Sequence, residues 1–135
     1  MYIKTYIACI FLLILCDAPY LYLCGDLYSK ATLAISGKPY TKRYYSAVIV
    51  YLALSLGIVF LVLPRMRTAQ SNNVSLQNRF HDAILYGGIF GLASYATFDF
   101  TMHFMFEKWD LSVSIMDSIW GSILCSIVAF ILSFI

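Results

Sequence analysis

The sequence predicts an all-α integral membrane protein, a four-helix bundle whose helices run up, down, up and down. The first observation behind this prediction is composition: 61% of the 135 residues are hydrophobic and 12% are charged. Soluble domains are roughly 45–50% apolar and about 25% charged. The second observation is that four long apolar segments follow one another along the chain. The third is that these segments lack the alternating faces, over about 10 residues, that barrel strands require.

The four apolar segments cover about residues 2–23, 44–63, 83–106 and 113–134. Each is close to the ~20 residues that cross the ~30 Å hydrocarbon layer of a bilayer as a helix. A helix also satisfies all of its own backbone hydrogen bonds in lipid. We therefore expect the whole chain, residues 1–135, to form a single transmembrane domain.

The connections differ in length. Residues 24–43 contain two glycines and four basic residues, which predicts a loop, with a short interfacial helix over about residues 27–35 as an open alternative. Pro64 is expected to end the second helix. The short polar stretch at residues 107–110 makes the third and fourth helices antiparallel neighbours. Basic residues are distributed too evenly between the two sides for the positive-inside rule to predict an orientation.

Three carboxylates fall inside apolar segments: Asp17, Asp99 and Asp117. In a serpentine of four helices, the helix ends nearest to them face one side, which places all three roughly 6–10 Å below one interface. Ionisable residues at this depth are expensive and usually face the bundle interior or a wet cavity. Neighbouring carboxylates in a low dielectric cannot all be ionised, so we expect at least one to be protonated at neutral pH.

Helical spacing groups other residues with these acids. On the third helix a row spaced by four residues contains Gly87, Gly91, Tyr95, Asp99 and His103. On the fourth helix the face of Asp117 also carries Trp120, Gly121 and Cys125. Small residues four apart allow helices to approach closely. The pattern predicts helix packing at Gly87, Gly91 and Gly121, and a polar cluster on one side of that seam. His103 is either a structural hydrogen-bonding residue or a proton shuttle.

Other features favour few additional sites. Tyr20 and Trp109 are expected to anchor helix ends at the membrane interface. The four cysteines show no metal or disulfide spacing, and the chain has no phosphate-binding loop and no HExxH motif. No metal, cofactor or catalytic residue is therefore predicted. The net charge of +2 is too small to suggest nucleic-acid binding.

Several motifs together resemble a family of small bacterial membrane proteins. The stretch YGGIFGLASYATFDFT at residues 86–101, then Trp109, then DSIWG at residues 117–121, is similar to the pattern of domain of unknown function 2177. The similarity extends over nearly the whole chain and is looser before residue 86. It implies four transmembrane helices. The positions matched to the family pattern are Asp17, Asp99, Thr101, Trp109, Asp117 and Trp120.

Three functional hypotheses stay open. The first is a binding or conduction module for a proton, a cation or a lipid headgroup, with a ligand-binding set of Asp17, Asp99, Asp117, Thr101, Trp120 and His103. The second is a structural subunit of a larger membrane assembly, in a virion or an organelle. The third, a lipid-modifying enzyme, is disfavoured because no nucleophile lies beside a base. The expected partners are the lipid bilayer and either a second copy or other membrane subunits. The aspartates could also serve only to tie helices together by hydrogen bonds.

Overall fold

The computed structural model describes residues 2–38, 42–69 and 75–135, without the side chains of residues 67–69. In this part of the chain four continuous helices are long and apolar enough to cross a membrane. They are α1 (Tyr2–Ser36), α2 (residues 44–69), α3 (Leu76–Met105) and α4 (Leu111–Leu132). The predicted fold class, an all-α membrane bundle of four helices, is confirmed.

Helix α1 is longer than the sequence predicted. It does not end near residue 23 but continues through Gly25 to Ser36. The prediction of a loop beginning at residue 24 is therefore wrong. The extension is stable because it has its own packing: Ala31 is only 3% exposed and lies against Trp109 and Val113. Gly37 ends the helix with a positive φ of 71°, and its N–H donates to the Leu33 carbonyl at 2.9 Å. This is the left-handed helix ending that glycine favours.

Helices α2 and α3 each contain one π-helical turn, Ile58–Val62 and Ala83–Gly87. Pro64 does not end α2 as predicted, since the helix continues from Leu63 to Ala69. The Leu63 N–H bonds back to Ile58, and this wider turn leads directly into the proline, which has no N–H of its own to donate. Helix α3 begins earlier than predicted, where the Ser75 hydroxyl accepts from the Asn78 N–H at 3.1 Å.

The core of the bundle lies mainly on the side where α1 and α3 begin. Side chains from all four helices meet there, among them Leu13 of α1, Ile58 of α2, Ala83 of α3 and Leu124 of α4. Helix α4 is the most buried, with 44% of its most apolar window inside the bundle. The other three helices therefore pack around α4.

The α3–α4 contact is a backbone seam built from glycines. A Cβ added to Gly91 would lie 2.0 Å from the carbonyl oxygen of Gly121, and one added to Gly87 would lie 2.8 Å from that of Cys125. A Cβ on Gly121 would in turn lie 2.2 Å from the ring of Tyr95. No side chain fits at these positions, and the close approach brings Asp99 of α3 beside α4.

Candidate functional site

The three intramembrane aspartates lie together inside the bundle. Asp99 is fully buried, and Asp17 and Asp117 are 6% and 7% exposed. Asp117 occupies the middle of the layer, where its carboxyl is close enough to interact electrostatically with both Asp17 and Asp99. We call these three residues the acid layer. Its members come from α1, α3 and α4 and are separated by up to 100 residues of sequence.

Both carboxyl oxygens of Asp17 accept hydrogen bonds. The Tyr51 hydroxyl of α2 donates to Oδ2 at 2.6 Å, and the Trp120 Nε1 of α4 donates to Oδ1 at 2.8 Å. Asp17 therefore joins three helices. Each carboxyl oxygen therefore has a neutral hydrogen-bond donor, and these two donors can stabilise the ionised form of Asp17.

Asp117 is reached by two tyrosines of α1. Tyr28 donates to its Oδ1, Tyr20 lies 3.4 Å from the same oxygen, and the two tyrosine hydroxyls are 2.8 Å apart. The Tyr20 ring also stacks on Trp120, with centroids 4.7 Å apart and planes inclined by 10°. The network around Asp117 is thus continuous with that around Asp17.

Asp99 is different because no described residue donates a hydrogen bond to its carboxyl. Neither oxygen has a partner of ordinary geometry among the described residues, although both are buried. Its side chain lies against that of Asp117. Its backbone carbonyl accepts from Ser114 Oγ at 2.8 Å, and that hydroxyl accepts from Trp109 Nε1 at 2.9 Å. The position of Asp99 is therefore fixed through its backbone rather than through its carboxyl.

The acid layer borders a cavity of about 420 Å³ that is lined by residues of all four helices. Asp17 and Asp117 line it, whereas Asp99 lies behind Asp117 and does not. Four tyrosine side chains, several apolar ones and Ser94 complete its wall. Its acidic and tyrosine lining consists of Asp17, Asp117, Tyr20, Tyr28, Tyr51 and Tyr95.

Two residues of the predicted binding set lie elsewhere. Thr101 and His103 are exposed and do not reach the acid layer. Thr101 lies two positions after Asp99, roughly 200° around the helix, and therefore faces away from the acid layer. Its hydroxyl donates to the Thr97 carbonyl of the same helix. The His103 ring contacts Phe100 edge-on at 6.5 Å. The prediction that these residues belong to the site is therefore wrong, while Trp120 does contact the layer.

The two predicted interfacial anchors have other surroundings. Trp109 is only 5% exposed, since the extension of α1 covers it. Tyr20 lies in the middle of α1, not near its end, and takes part in the hydrogen bonds around Asp117. The Tyr20 assignment depended on α1 ending near residue 23 and is wrong for that reason. Trp109 does lie in the α3–α4 turn as expected, but the extension of α1 buries it there.

Tyr28, Tyr51 and Tyr95 belong to the site but were absent from the predicted set. Tyr28 follows Asp17 by 11 residues, about three helical turns, so a continuous α1 would have placed the two on one face. Tyr95 lies one turn before Asp99 in the row of four-residue spacing. Within the described residues, no cluster of three or more histidine, cysteine or acidic side chains is placed to hold a metal ion.

Comparison with known protein families shows which family the chain belongs to. The sequence model of DUF2177, described as a predicted membrane protein, matches residues 2–134. This agrees with the resemblance indicated by the motifs of α3 and α4. No curated protein and no solved structure matches the chain.

Proposed function

Because this chain belongs to the DUF2177 family and is an integral, multi-pass membrane protein with four apolar helices, we propose that it binds a ligand within the bilayer. The ligand is an amphiphile with a cationic amine head, which enters the cavity beside Asp17 and Asp117. The observation that carries this proposal is the pairing of two buried carboxylates with a wall that is otherwise aromatic and apolar apart from Ser94.

Charge favours a cation. Two carboxyl groups face the cavity and no lysine, arginine or histidine lines it among the described residues. A cation entering this space gains attraction from groups that the bundle leaves without a positive partner. An anion would meet repulsion and would find no basic side chain.

The aromatic wall favours an amine with a large, weakly hydrated head. Tyr20, Tyr28, Tyr51 and Tyr95 border the same space as the two acids. Tyrosine rings attract cations through their negative faces, and several rings around one site form the usual recognition site for a quaternary ammonium group. The cavity volume of about 420 Å³ falls within the range of ~300–1,000 Å³ for small-molecule pockets.

Apolar side chains supply the surface for a hydrocarbon tail. Leu21 of α1, Val50 and Leu54 of α2, and Phe98 of α3 line the cavity next to the polar residues. Both Leu21 and Phe98 are also exposed on the outer surface of the bundle. The cavity wall is thereby continuous with the surface that faces lipid chains, which is where an amphiphile would place its tail.

Thermal unfolding in a neutral maltoside detergent tests the proposal. Dodecyltrimethylammonium supplies head and tail, tetramethylammonium supplies the head alone, and added maltoside supplies the tail alone. A ligand at 100 times its Kd stabilises the folded state by about 2.7 kcal/mol. We expect stabilisation by dodecyltrimethylammonium, weaker stabilisation by tetramethylammonium and none by added maltoside. Equal effects of the two cations would indicate that the site takes a small organic cation and not an amphiphile.

Variants separate the site from general charge effects. Asp17→Asn should abolish the stabilisation, whereas Asp26→Asn should preserve it. Asp26 is a suitable control because it lies on the same helix, is exposed and does not line the cavity. If both variants respond to dodecyltrimethylammonium as the unaltered protein does, the proposed site is wrong.

A further inference from the structure

We infer that Asp99 and Asp117 share one proton and that a cation entering the cavity displaces this proton to the bulk solution. The inference rests on the proposed function for its second half and on the geometry of the two acids for its first. The protein would then bind its cation in exchange for a proton. No covalent bond of the ligand is made or broken in this exchange.

The geometry of the pair requires a shared proton. The two carboxyls lie against each other, Asp99 fully buried and Asp117 only 7% exposed. None of the described lysines or arginines forms a salt bridge with either of them. Two ionised carboxylates in contact repel each other strongly when water is absent, and such pairs hold one proton between them.

Hydrogen bonding identifies Asp99 as the member that keeps the proton. Asp117 already accepts from Tyr28, which suits an ionised oxygen. Asp99 receives no donor at either buried oxygen from the described residues, and an ionised carboxylate in that position would be left unsolvated. A protonated Asp99 can instead donate its own hydrogen to Asp117. This arrangement satisfies one oxygen of each residue.

The groups around the pair do not supply a competing charge. They come from every helix packed against it, and among the described residues they are carboxyls, phenols and thiols. The hydroxyls of Tyr20, Tyr28 and Tyr51 act as donors in this network, which requires them to be protonated. The titratable groups facing the layer are Cys16, Asp17, Tyr20 and Tyr28 of α1, Tyr51 of α2, Tyr95 of α3 and Cys125 of α4.

A cation in the cavity changes this balance. It would lie beside Asp17 and Asp117, on the opposite side of Asp117 from Asp99. A positive charge there compensates the second negative charge of the pair, so that Asp99 can release its proton. Asp99 does not touch the ligand in this account and acts through Asp117 as a positioning residue.

Calorimetry in buffers of different ionisation enthalpy measures the exchange directly. Dodecyltrimethylammonium binding at neutral pH should release about one proton per cation, and the affinity should rise up to tenfold per pH unit. Asp99→Asn cannot hold the shared proton, so it should bind with little proton release and an affinity independent of pH. Asp26→Asn should behave as the unaltered protein does.

Infrared spectroscopy gives a second readout that needs no ligand. The unaltered protein at neutral pH should show the carbonyl stretch of a buried protonated carboxyl, and Asp99→Asn should lose it. Binding without proton release would overturn the inference and leave the proposed function intact. Absence of binding would overturn the proposed function and the exchange together, and the infrared band would then decide the shared proton alone. If the Asp99→Asn variant does not fold, proton release on binding to the unaltered protein still decides whether the exchange occurs.

Discussion

A single hydroxyl, that of Ser114, connects the turn between α3 and α4 to the acid layer. It accepts from the Trp109 indole at 2.9 Å and donates to the Asp99 backbone at 2.8 Å, and the residue is fully buried. Its role follows from burial, since an indole N–H without an acceptor inside a bundle loses the hydrogen bond that water would have supplied. Ser114 thus fixes both its neighbours at once.

Ser114→Ala should therefore be more destabilising than its small change in volume suggests. It leaves the buried Trp109 N–H without its acceptor, for which the expected loss is about 1–3 kcal/mol in the free energy of unfolding. Reversible denaturant titration in mixed micelles measures this loss. Ser118→Ala is the matched control: Ser118 is buried one turn along α4, but its hydroxyl only donates to the Ser114 carbonyl within the helix. Equal losses in the two variants would contradict the role assigned to Ser114.

At the residue scale, the sequence predicted the acids but not the donors that surround them. An aspartate inside an apolar segment is conspicuous because charge in lipid is costly. A tyrosine in the same segment is compatible with an interfacial anchor, a core residue or a hydrogen-bond donor. The assignment of Tyr28 and Tyr51 to the acids depends on which helices adjoin, and this information resides in the packing.

Among the helices, the α3–α4 contact is the most restrictive. Gly91→Ala would place a Cβ 2.0 Å from the Gly121 carbonyl oxygen, and backbone on one side or the other would have to move. Overpacking of this kind destabilises by about 1–3 kcal/mol. The acid layer should also be disturbed, because Asp99 and Asp117 lie on the two helices that would separate.

Gly25→Ala makes the same chemical change in a helix with open space. No atom lies within 4 Å of a Cβ added there, so the replacement should stabilise α1 by about 0.5–1 kcal/mol. The free energies of unfolding of the two variants, measured in the same detergent, should move in opposite directions. A stabilised Gly91→Ala protein would show that the seam can open without loss.

Helix α4 begins with a charged cap outside the apolar layer. The hydroxyl and then the backbone N–H of Ser112 donate to Asp110 Oδ1 at 2.7 and 2.9 Å, and these bonds lower the pKa of the Asp110 carboxyl below its ordinary value. A lowered pKa in the folded state means that the cap stabilises the helix above the ordinary carboxyl pKa. The stabilisation is lost as the pH falls through the lowered value.

Hydrogen exchange in the first turn of α4 should report this cap. Protection of the Ser112 amide in Asp110→Ala should be weak at neutral pH and little changed by acid. The unaltered protein should lose protection only in acid, and Asp110→Asn should keep a neutral cap at every pH. If the alanine variant and the unaltered protein show the same protection at every pH, the Asp110 cap does not stabilise the first turn of α4.

The sequence predicted the correct number of membrane helices, but it underestimated the length of several of them. Hydropathy identifies the part of a helix that is apolar enough for lipid, and all four such parts were found. It does not identify polar turns that continue the same helix, such as residues 76–82 of α3, or an extension that is stabilised by a neighbour, such as the end of α1 against Trp109. Those boundaries are set by caps and tertiary contacts.

For the molecule as a whole, the length of α1 matters most. Its 35 residues correspond to roughly 52 Å of helix, well beyond the ~30 Å of the hydrocarbon layer. The excess lies at its second end, where Ala31 packs beside Trp109 and Val113 at the α3–α4 turn. The acid layer lies about six residues into α4, roughly 9 Å from its start. We therefore expect the end of α1 and the α3–α4 turn to stand together on the side of the membrane nearest to the acids.

This topology predicts which residues are accessible from the same side. Four crossings place residue 4 and residue 135 on one side, and Ser36 and Lys108 on the other. Single cysteines at these positions, introduced after replacing the partly exposed Cys16 and Cys24 by alanine, can be treated with an impermeant maleimide in sealed vesicles. Lys4→Cys and Ile135→Cys should react alike, and Ser36→Cys and Lys108→Cys should react oppositely to them. Labelling of Ser36→Cys together with Lys4→Cys would mean that α1 does not cross the bilayer. Asp17 would then lose the membrane environment on which its role in cation binding depends.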